Sequence, residues 1–208
     1  EHLLRKGGNT YGLDASSESV DVVNRQFQDS PGYCGAVQSD SPPSSYPAEM
    51  FDWIICVETL EHLLDDALET TLVEIRRLIK PQGHVLFTVP CNEDLTRRVT
   101  YCPFCDTEFH TWQHVRSFSE HTISQRLARH GFKVLFSTGT ELAVFATGGV
   151  LPTDPFGLQL RVRIAALRAR ILDWLLPLPS PGRRLRQVLS ARNGNHLCVI
   201  ATTEGDGL

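Results

Sequence analysis

Short apolar runs alternate with stretches of helical period along the first part of the chain. Apolar runs at Thr10–Asp14, Tyr33–Gln38 and Phe51–Val57 predict strands. The last is apolar except for Asp52, as is typical of a strand buried in a parallel sheet. Residues Ser19–Gln28 and Asp65–Ile79 have helical period. This alternation predicts βαβ units and an α/β fold whose ligands bind at the carboxyl ends of the strands.

A further apolar run, His84–Val89, closes this regular part of the chain. The next segment, Cys91–Phe118, is irregular and rich in Cys, His and aromatic residues. Helical period then returns at Ser119–His130, and two more apolar runs, Phe132–Ser137 and His196–Thr202, predict strands. The sequence therefore predicts a mostly parallel sheet interrupted by a Cys/His-rich insertion, residues 91–118.

A second insertion, residues 151–192, lies before the last predicted strand. It holds eight Arg against two acids, whereas the whole chain has a formal net charge of −4. Leu158–Leu176 has helical period with an Arg-rich polar face. We expect a helix packed over the site with a solvated charged face, and the alternative is peripheral contact with an anionic membrane. The acidic remainder disfavours a nucleic-acid partner.

Length and composition are typical of one globular domain spanning residues 1–208, of which 41% are hydrophobic. No apolar run reaches the roughly 18 residues needed to cross a bilayer. Six cysteines are too few for a disulfide scaffold, which favours a reducing, cytoplasmic location. The sequence does not indicate an oligomeric state.

Four stretches carry a family resemblance through their order and spacing. They are YGLDAS (Tyr11–Ser16), FDWIICVETLEHL (Phe51–Leu63), IRRLIKPQGHVLFTVP (Ile75–Pro90) and FSEHTISQRLARHGFKV (Phe118–Val134). Together they resemble class I S-adenosylmethionine-dependent methyltransferases, in the style of the O-methyltransferases of ubiquinone biosynthesis. The resemblance covers most of residues 10–137. It implies a Rossmann-like sheet with an antiparallel last strand, and S-adenosylmethionine as cofactor.

The resemblance also implies cofactor contacts for polar residues at strand ends. Asp14 would accept the ribose hydroxyls, Asp40 and Ser41 would contact the adenine, and Glu58 would face the cofactor and the acceptor. Asp14 and Asp40 each have a structural alternative. Asp14 could cap a helix, and Asp40 could belong to a turn before Pro42.

The spacing Glu58-x-x-Glu61-His62 points to catalysis or metal binding. Residues three or four apart share one face of a helix or turn, so these two carboxylates and the imidazole can converge on Mg²⁺ or Mn²⁺. Similar runs bind such a metal in some quinone-biosynthesis O-methyltransferases and in small-RNA 2′-O-methyltransferases. The RNA enzymes add a downstream His, a part that His114 could play. Alternatively, Glu61 and His62 only orient the turn, or His62 acts as general base.

The insertion 91–118 contains a second metal-ligand pattern. Two thiols and two imidazoles at these spacings predict a closed tetrahedral zinc site, or else two thiols and two histidines without a metal. The four residues are Cys102, Cys105, His110 and His114. Cys91 is a substitute ligand. His114 cannot readily serve this site and the Glu-Glu-His site together.

The motif G-x-G-x-G that normally follows the first strand of this family is not in the sequence, since Gly7-Gly8 has the wrong position. The first residue is also not Met. We therefore expect an N-terminally incomplete methyltransferase domain without its first strand. The predicted activity is methyl transfer from S-adenosylmethionine to a hydroxyl of a small or lipid-like acceptor. The alternative is a non-catalytic, zinc-stabilised binding or scaffold module.

Overall fold

A computed structural model describes residues 3–4, 7–40, 42–140 and 195–203. Helices and strands alternate through most of these residues. In chain order the elements are β1 (Thr10–Asp14), α1 (Ser17–Phe27), β2 (Tyr33–Gln38), β3 (Phe51–Val57), a 3₁₀ turn (Leu60–His62), α2 (Asp65–Leu78), β4 (Ile79–Pro90), β5 (Val99–Cys102), β6 (Thr107–His110), α3 (Glu120–Arg129), β7 (Phe132–Thr140) and β8 (His196–Thr203).

The main sheet has the strand order β3-β4-β8-β7. β3 pairs with β4 in parallel, and β8 is antiparallel to both of its neighbours, so β3, β4 and β7 share one direction. This is the predicted Rossmann-like α/β fold with an antiparallel last strand. β1 and β2 form a separate parallel pair. Within the described part, no ladder joins β1 to β3, although the rings of Tyr11 and Phe51 approach at 5.5 Å.

The core lies between this sheet and helices α2 and α3. Apolar residues recur every three or four positions on α2, which gives the helix one buried stripe. α3 begins at the cap Ser119, as predicted, and buries Ile123 and Leu127. Phe87 of β4 is fully buried at the centre of the core. These contacts fix the carboxyl ends of β3 and β4 relative to each other.

The start of β4 and the regularity of the Cys/His-rich segment differ from the sequence prediction. β4 begins at Ile79 instead of His84, because residues 81–83 form an irregularity inside the strand. The pairing shifts there from Phe51 with Ile79 to Trp53 with His84. The segment Cys91–Phe118 is also more regular than predicted, since it contains the β5–β6 hairpin.

The basic insertion 151–192, with its predicted helix Leu158–Leu176, lies outside the described residues. Across the part that is described, no helix combines the length and the apolar character needed to cross a membrane.

A buried carboxylate ties α2 to the loop that precedes β3. Glu74 accepts hydrogen bonds from the Arg77 guanidinium at 2.6 and 2.7 Å, and from the backbone and hydroxyl of Ser44 at 2.9 and 2.7 Å. Arg77 also donates to the carbonyl of Tyr46 at 2.9 Å. The hydrogen bonds from Arg77 and Ser44 lower the pKa of Glu74 to about 2.

Glu74→Gln is expected to destabilise the protein by about 2 kcal/mol at pH 7, because it removes the charge that Arg77 and Ser44 bind. The Glu74 carboxyl has a pKa of about 2 in the fold and an ordinary value of 4.5. Its stabilisation is therefore present above pH 4.5 and is lost as the pH falls toward 2. Urea unfolding at pH 7 and pH 3 should show the difference between parent and variant shrinking at the lower pH. An equal difference at both values would contradict this assignment.

Candidate active site

The carboxyl end of β3 turns sharply at Glu58. Its φ of +46° lies in the left-handed region, which costs a residue with a Cβ about 1 kcal/mol or more. The Glu58 N–H donates to the carbonyl and to the hydroxyl of Thr88 on β4, at 3.0 and 3.2 Å. The neighbouring strand thus holds the strained conformation and directs the Glu58 side chain.

Glu58 pairs with the start of β8. Its Oε2 lies 3.3 Å from Nε2 of His196. Its Oε1 is buried and, among the described residues, has no hydrogen-bond partner. The sequence predicted that Glu58 would converge with Glu61 and His62, but the compact metal-capable group at this edge does not include it.

Glu61, His62 and His114 form that group, called here the Glu61 cluster. One potential ligand atom from each residue lies within 4.8 Å of the others. Glu61 is fully buried, and neither carboxylate oxygen has a hydrogen-bond partner within the described ranges. Burial raises the pKa of Glu61 to about 7, partly offset by the residue's own backbone N–H and, to a smaller extent, by His114. A buried carboxylate of this kind needs a proton or a cation.

The end of the Cys91–Phe118 segment folds back onto the 3₁₀ turn, which places His114 in the cluster. Val115 donates its N–H to the Glu61 carbonyl at 2.9 Å. The Arg116 guanidinium donates to the Leu63 carbonyl and to Asp65, the latter at 2.9 Å. These hydrogen bonds hold His114, the residue before Val115, beside Glu61.

A second group, Glu93, His110 and His114, shares His114 with the Glu61 cluster. Nδ1 of His114 lies 2.5 Å from Oε2 of Glu93, and Nε2 of His110 lies 3.6 Å from Oε1 of Glu93. The side chain of Glu93 is 15% exposed, that of His110 is 4% exposed and that of His114 is 7% exposed. Water therefore has little access to these contacts.

Trp112 packs over the two histidines, with ring centroids 6.1 Å from His110 and 5.7 Å from His114. The Arg98 guanidinium lies 4.0 Å above the Trp112 ring, at a distance typical of a cation–π contact. Trp112 itself is about half exposed. It therefore forms the outer wall of the site.

The predicted zinc site needs a correction, because the structure does not bring its four ligands together. The hairpin pairs Cys102 with Thr107 and His110 with Val99, so three strand positions, about 10 Å, separate Cys102 from His110. Among the described residues, neither metal-capable group contains a cysteine. Each spacing in the motif suits zinc, but the extended strand β6 carries the histidines away from the thiols.

The two thiols remain neighbours at the exposed end of the hairpin. Hydrogen bonds from the backbone of Cys105 and Phe104, and then from the Cys105 thiol, lower the pKa of Cys102. The backbone of Cys91, the substitute ligand, instead forms a single parallel β-bridge with the backbone of Phe118. This bridge lies where the segment leaves and rejoins the core.

The predicted cofactor residues lie at the carboxyl ends of β1 and β2. Asp14 ends β1, is exposed, and accepts the Ser16 N–H on Oδ1 at 2.8 Å. Ser16, in turn, caps α1. Asp40 follows β2, whereas Ser41 lies outside the described residues. Cofactor binding by these residues stays a prediction.

Glu93 and His196 are site residues that sequence reasoning missed. Glu93 lies three positions beyond β4, and His196 is the first residue of β8. Their only signal is a titratable side chain next to a strand end. The pairings with His114 and Glu58 depend on tertiary structure, which no sequence spacing reveals.

The comparisons with known proteins agree with this fold. A methyltransferase-domain family matches residues 1–136, so the chain belongs to that family. It is a methyltransferase domain, as its sequence motifs predict. Among curated proteins, none matches the chain.

Several solved structures share the fold at low identity. A methyltransferase from Methanosarcina mazei has a TM-score of 0.61 and 12% identity, covering 99% of this chain and 86% of its own. One from Archaeoglobus fulgidus has a TM-score of 0.54 and 15% identity, covering 97% and 80%. The 1,6-didemethyltoxoflavin-N1-methyltransferase of Burkholderia thailandensis, with bound S-adenosylhomocysteine, has a TM-score of 0.52 and 15% identity, covering 99% and 65%.

Proposed function

We propose that this methyltransferase transfers the methyl group of S-adenosylmethionine to a hydroxyl of a small or lipid-like acceptor, and that a divalent cation at the Glu61 cluster assists it. The observation that carries the proposal is the fully buried Glu61, whose two oxygens have no hydrogen-bond partner among the described residues. Two imidazoles beside it complete a metal-ligand set.

The cofactor would bind at the carboxyl ends of the parallel strands, where this fold places its ligands. S-adenosylmethionine supplies the electrophilic methyl group, and the protein contributes chiefly proximity and orientation. Asp14 would hold the ribose, and Asp40 with Ser41 would contact the adenine. Glu58, fixed by Thr88 and His196, would line the rim toward the acceptor.

Glu61, His62 and His114 would hold Mn²⁺ or Mg²⁺, with Glu58 near the same edge. Carboxylate oxygens suit both ions, and two imidazoles favour Mn²⁺ over Mg²⁺. Such an ion lowers the pKa of a bound hydroxyl, which makes oxygen a better nucleophile. This chemistry favours an O-methyltransferase over a nitrogen or carbon acceptor. Without the ion, His62, whose side chain is 40% exposed, would be the general base.

The chain's charge favours a small or lipid-like acceptor over a nucleic acid. Its formal net charge of −4 would repel phosphates. Zinc at Cys102 and Cys105 is not needed for this activity, because the hairpin end lies apart from the Glu61 cluster.

Mn²⁺ titration tests the metal site directly. Calorimetry of the purified protein is expected to show one bound Mn²⁺ per chain, with affinity reduced at least tenfold in His62→Asn. His121→Asn, which changes an exposed imidazole on α3, is the matched control and should bind as the parent does. Failure of the parent to bind Mn²⁺ or Mg²⁺, or equal affinity in His62→Asn, would overturn the metal-assisted part of the proposal.

A further inference from the structure

We infer that Glu93 is a positioning residue that holds His114 in the tautomer protonated on Nδ1, leaving Nε2 to bind the cation. The inference deepens the proposed function, since it assigns the residue that orients one of the three metal ligands. It also decides which of the two overlapping groups is the metal site.

The first observation is the contact between Glu93 and His114. Oε2 of Glu93 lies 2.5 Å from Nδ1 of His114. A carboxylate only accepts hydrogen bonds, so the proton between these atoms belongs to Nδ1. In the neutral imidazole the second nitrogen, Nε2, then carries the lone pair. Carboxylates or carbonyls that fix a metal-binding histidine in this way are a general feature of protein metal sites.

The second observation is the tautomer of His110. Nδ1 of His110 accepts the backbone N–H of His114 at 3.3 Å, so Nδ1 carries no proton. The proton of the neutral ring therefore lies on Nε2, which faces Oε1 of Glu93 at 3.6 Å. Each oxygen of Glu93 thus faces an imidazole nitrogen. The contact with His114 is a hydrogen bond, whereas Nε2 of His110, at 3.6 Å, has no hydrogen-bond partner among the described residues.

These tautomers decide which of the two metal-capable groups that share His114 can bind a cation. A cation among Glu93, His110 and His114 would need a lone pair on Nε2 of His110, but that nitrogen carries the proton. It would also displace the proton from Nδ1 of His114. A cation in the Glu61 cluster would instead take Nε2 of His114, which the bond from Nδ1 to Glu93 leaves unprotonated. The ring of His62 lies close to that of His114, with centroids 4.8 Å apart.

Packing keeps the tautomers fixed. The rings of His110 and His114 stack with centroids 4.8 Å apart and an interplanar angle of 28°. The side chains of Glu93, His110 and His114 are at most 15% exposed, so water cannot readily replace the carboxylate. Rotation of the His114 ring would break its hydrogen bond to Glu93.

Two variants test the inference through Mn²⁺ affinity. Glu93→Met removes both acceptor oxygens at similar side-chain length, whereas Glu93→Gln retains one. Calorimetry should show affinity falling by about 10- to 100-fold in Glu93→Met, with Glu93→Gln in between. Glu108→Gln, an exposed acid on β6 of the same segment, is the control. Parent-like affinity in Glu93→Met would overturn the inference.

The tautomer itself can be measured by nitrogen-15 NMR of the histidine rings in the metal-free protein. The expected spectrum of the parent has His114 protonated on Nδ1 and unprotonated on Nε2, with the preference reduced in Glu93→Gln. Protonation on Nε2 in the parent would overturn the inference even if Glu93→Met does not fold. A parent that shows the expected tautomer but binds no Mn²⁺ would contradict the metal site of the proposed function, while the role of Glu93 in orienting His114 would stand.

Discussion

Glu61→Gln is expected to abolish Mn²⁺ binding and to flatten the pH dependence of stability in the metal-free protein. Glu61 is fully buried, and within the described residues its carboxylate has no hydrogen-bond partner. It is also the only acidic residue of its cluster. Glutamine keeps the shape but removes the anionic oxygens, so the two histidines alone would hold the cation weakly.

The effect on stability follows from the pKa of the buried carboxyl. Burial raises the pKa of Glu61 from 4.5 to about 7. Between these two values the folded protein binds a proton that the unfolded chain has lost, so stability falls as the pH rises through this window. Between pH 5 and pH 8, the free energy of unfolding of the parent should fall by on the order of 2–3 kcal/mol relative to that of Glu61→Gln.

Urea unfolding of the metal-free proteins at pH 5 and pH 8 measures this difference. Glu108→Gln, which changes an exposed acid, should follow the parent at both values. Saturating Mn²⁺ should stabilise the parent at pH 8 and leave Glu61→Gln unchanged, because only the parent binds the ion. If the free energies of unfolding of the parent and Glu61→Gln differ by the same amount at pH 5 and pH 8, the raised pKa of Glu61 is contradicted.

Asp14→Asn is expected to weaken the binding of S-adenosylhomocysteine by about 10- to 100-fold, since it removes the charge that would accept two ribose hydroxyls. Asparagine can still accept the Ser16 N–H that Oδ1 of Asp14 accepts at 2.8 Å. The variant therefore separates cofactor binding from the alternative role of Asp14 at the start of α1.

Calorimetry with S-adenosylhomocysteine and thermal unfolding of the same samples distinguish the two roles. Lower affinity at an unchanged melting temperature supports ribose binding. Unchanged affinity would assign Asp14 to local structure alone. Asp21→Asn, an exposed acid within α1, is the control and should bind as the parent does. Absence of binding both in the parent and in a version extended at the N-terminus would favour the non-catalytic scaffold over the enzyme, whereas binding by the extended version alone would indicate an incomplete domain.

The fold was predictable because its signals are local. The run Phe51–Val57, apolar except for Asp52, is β3 with the predicted bounds, and Ser119 caps α3. Each of these features depends on a few consecutive residues, through side-chain burial or a single hydrogen bond. The burial predicted for β3 is wrong, since its burial pattern contains no fully buried residue. The early start of β4 escaped prediction because Pro81 and Gly83 normally end elements, whereas here they lie inside a strand held by its neighbours.

The candidate site was only partly predictable. Glu61 and His62 are adjacent in sequence, so their convergence follows from one short turn. The zinc motif, in contrast, assumed that Cys102 and His110 would meet, and the register of the β5–β6 hairpin separates them. The approach of His114 to Glu61 depends on the hydrogen bond from the Val115 N–H to the Glu61 carbonyl, between residues far apart in the chain.

The central claim is that the cofactor and a divalent cation bind at one site, at the carboxyl edge of the sheet. Bound Mn²⁺ is paramagnetic and accelerates the NMR relaxation of nearby protons. The most direct test is therefore the relaxation of the S-methyl protons of S-adenosylmethionine in the presence of the protein and Mn²⁺. We expect strong acceleration that disappears in Glu61→Gln. If cofactor and Mn²⁺ both bind while the methyl protons relax as they do without the metal, the claim is contradicted.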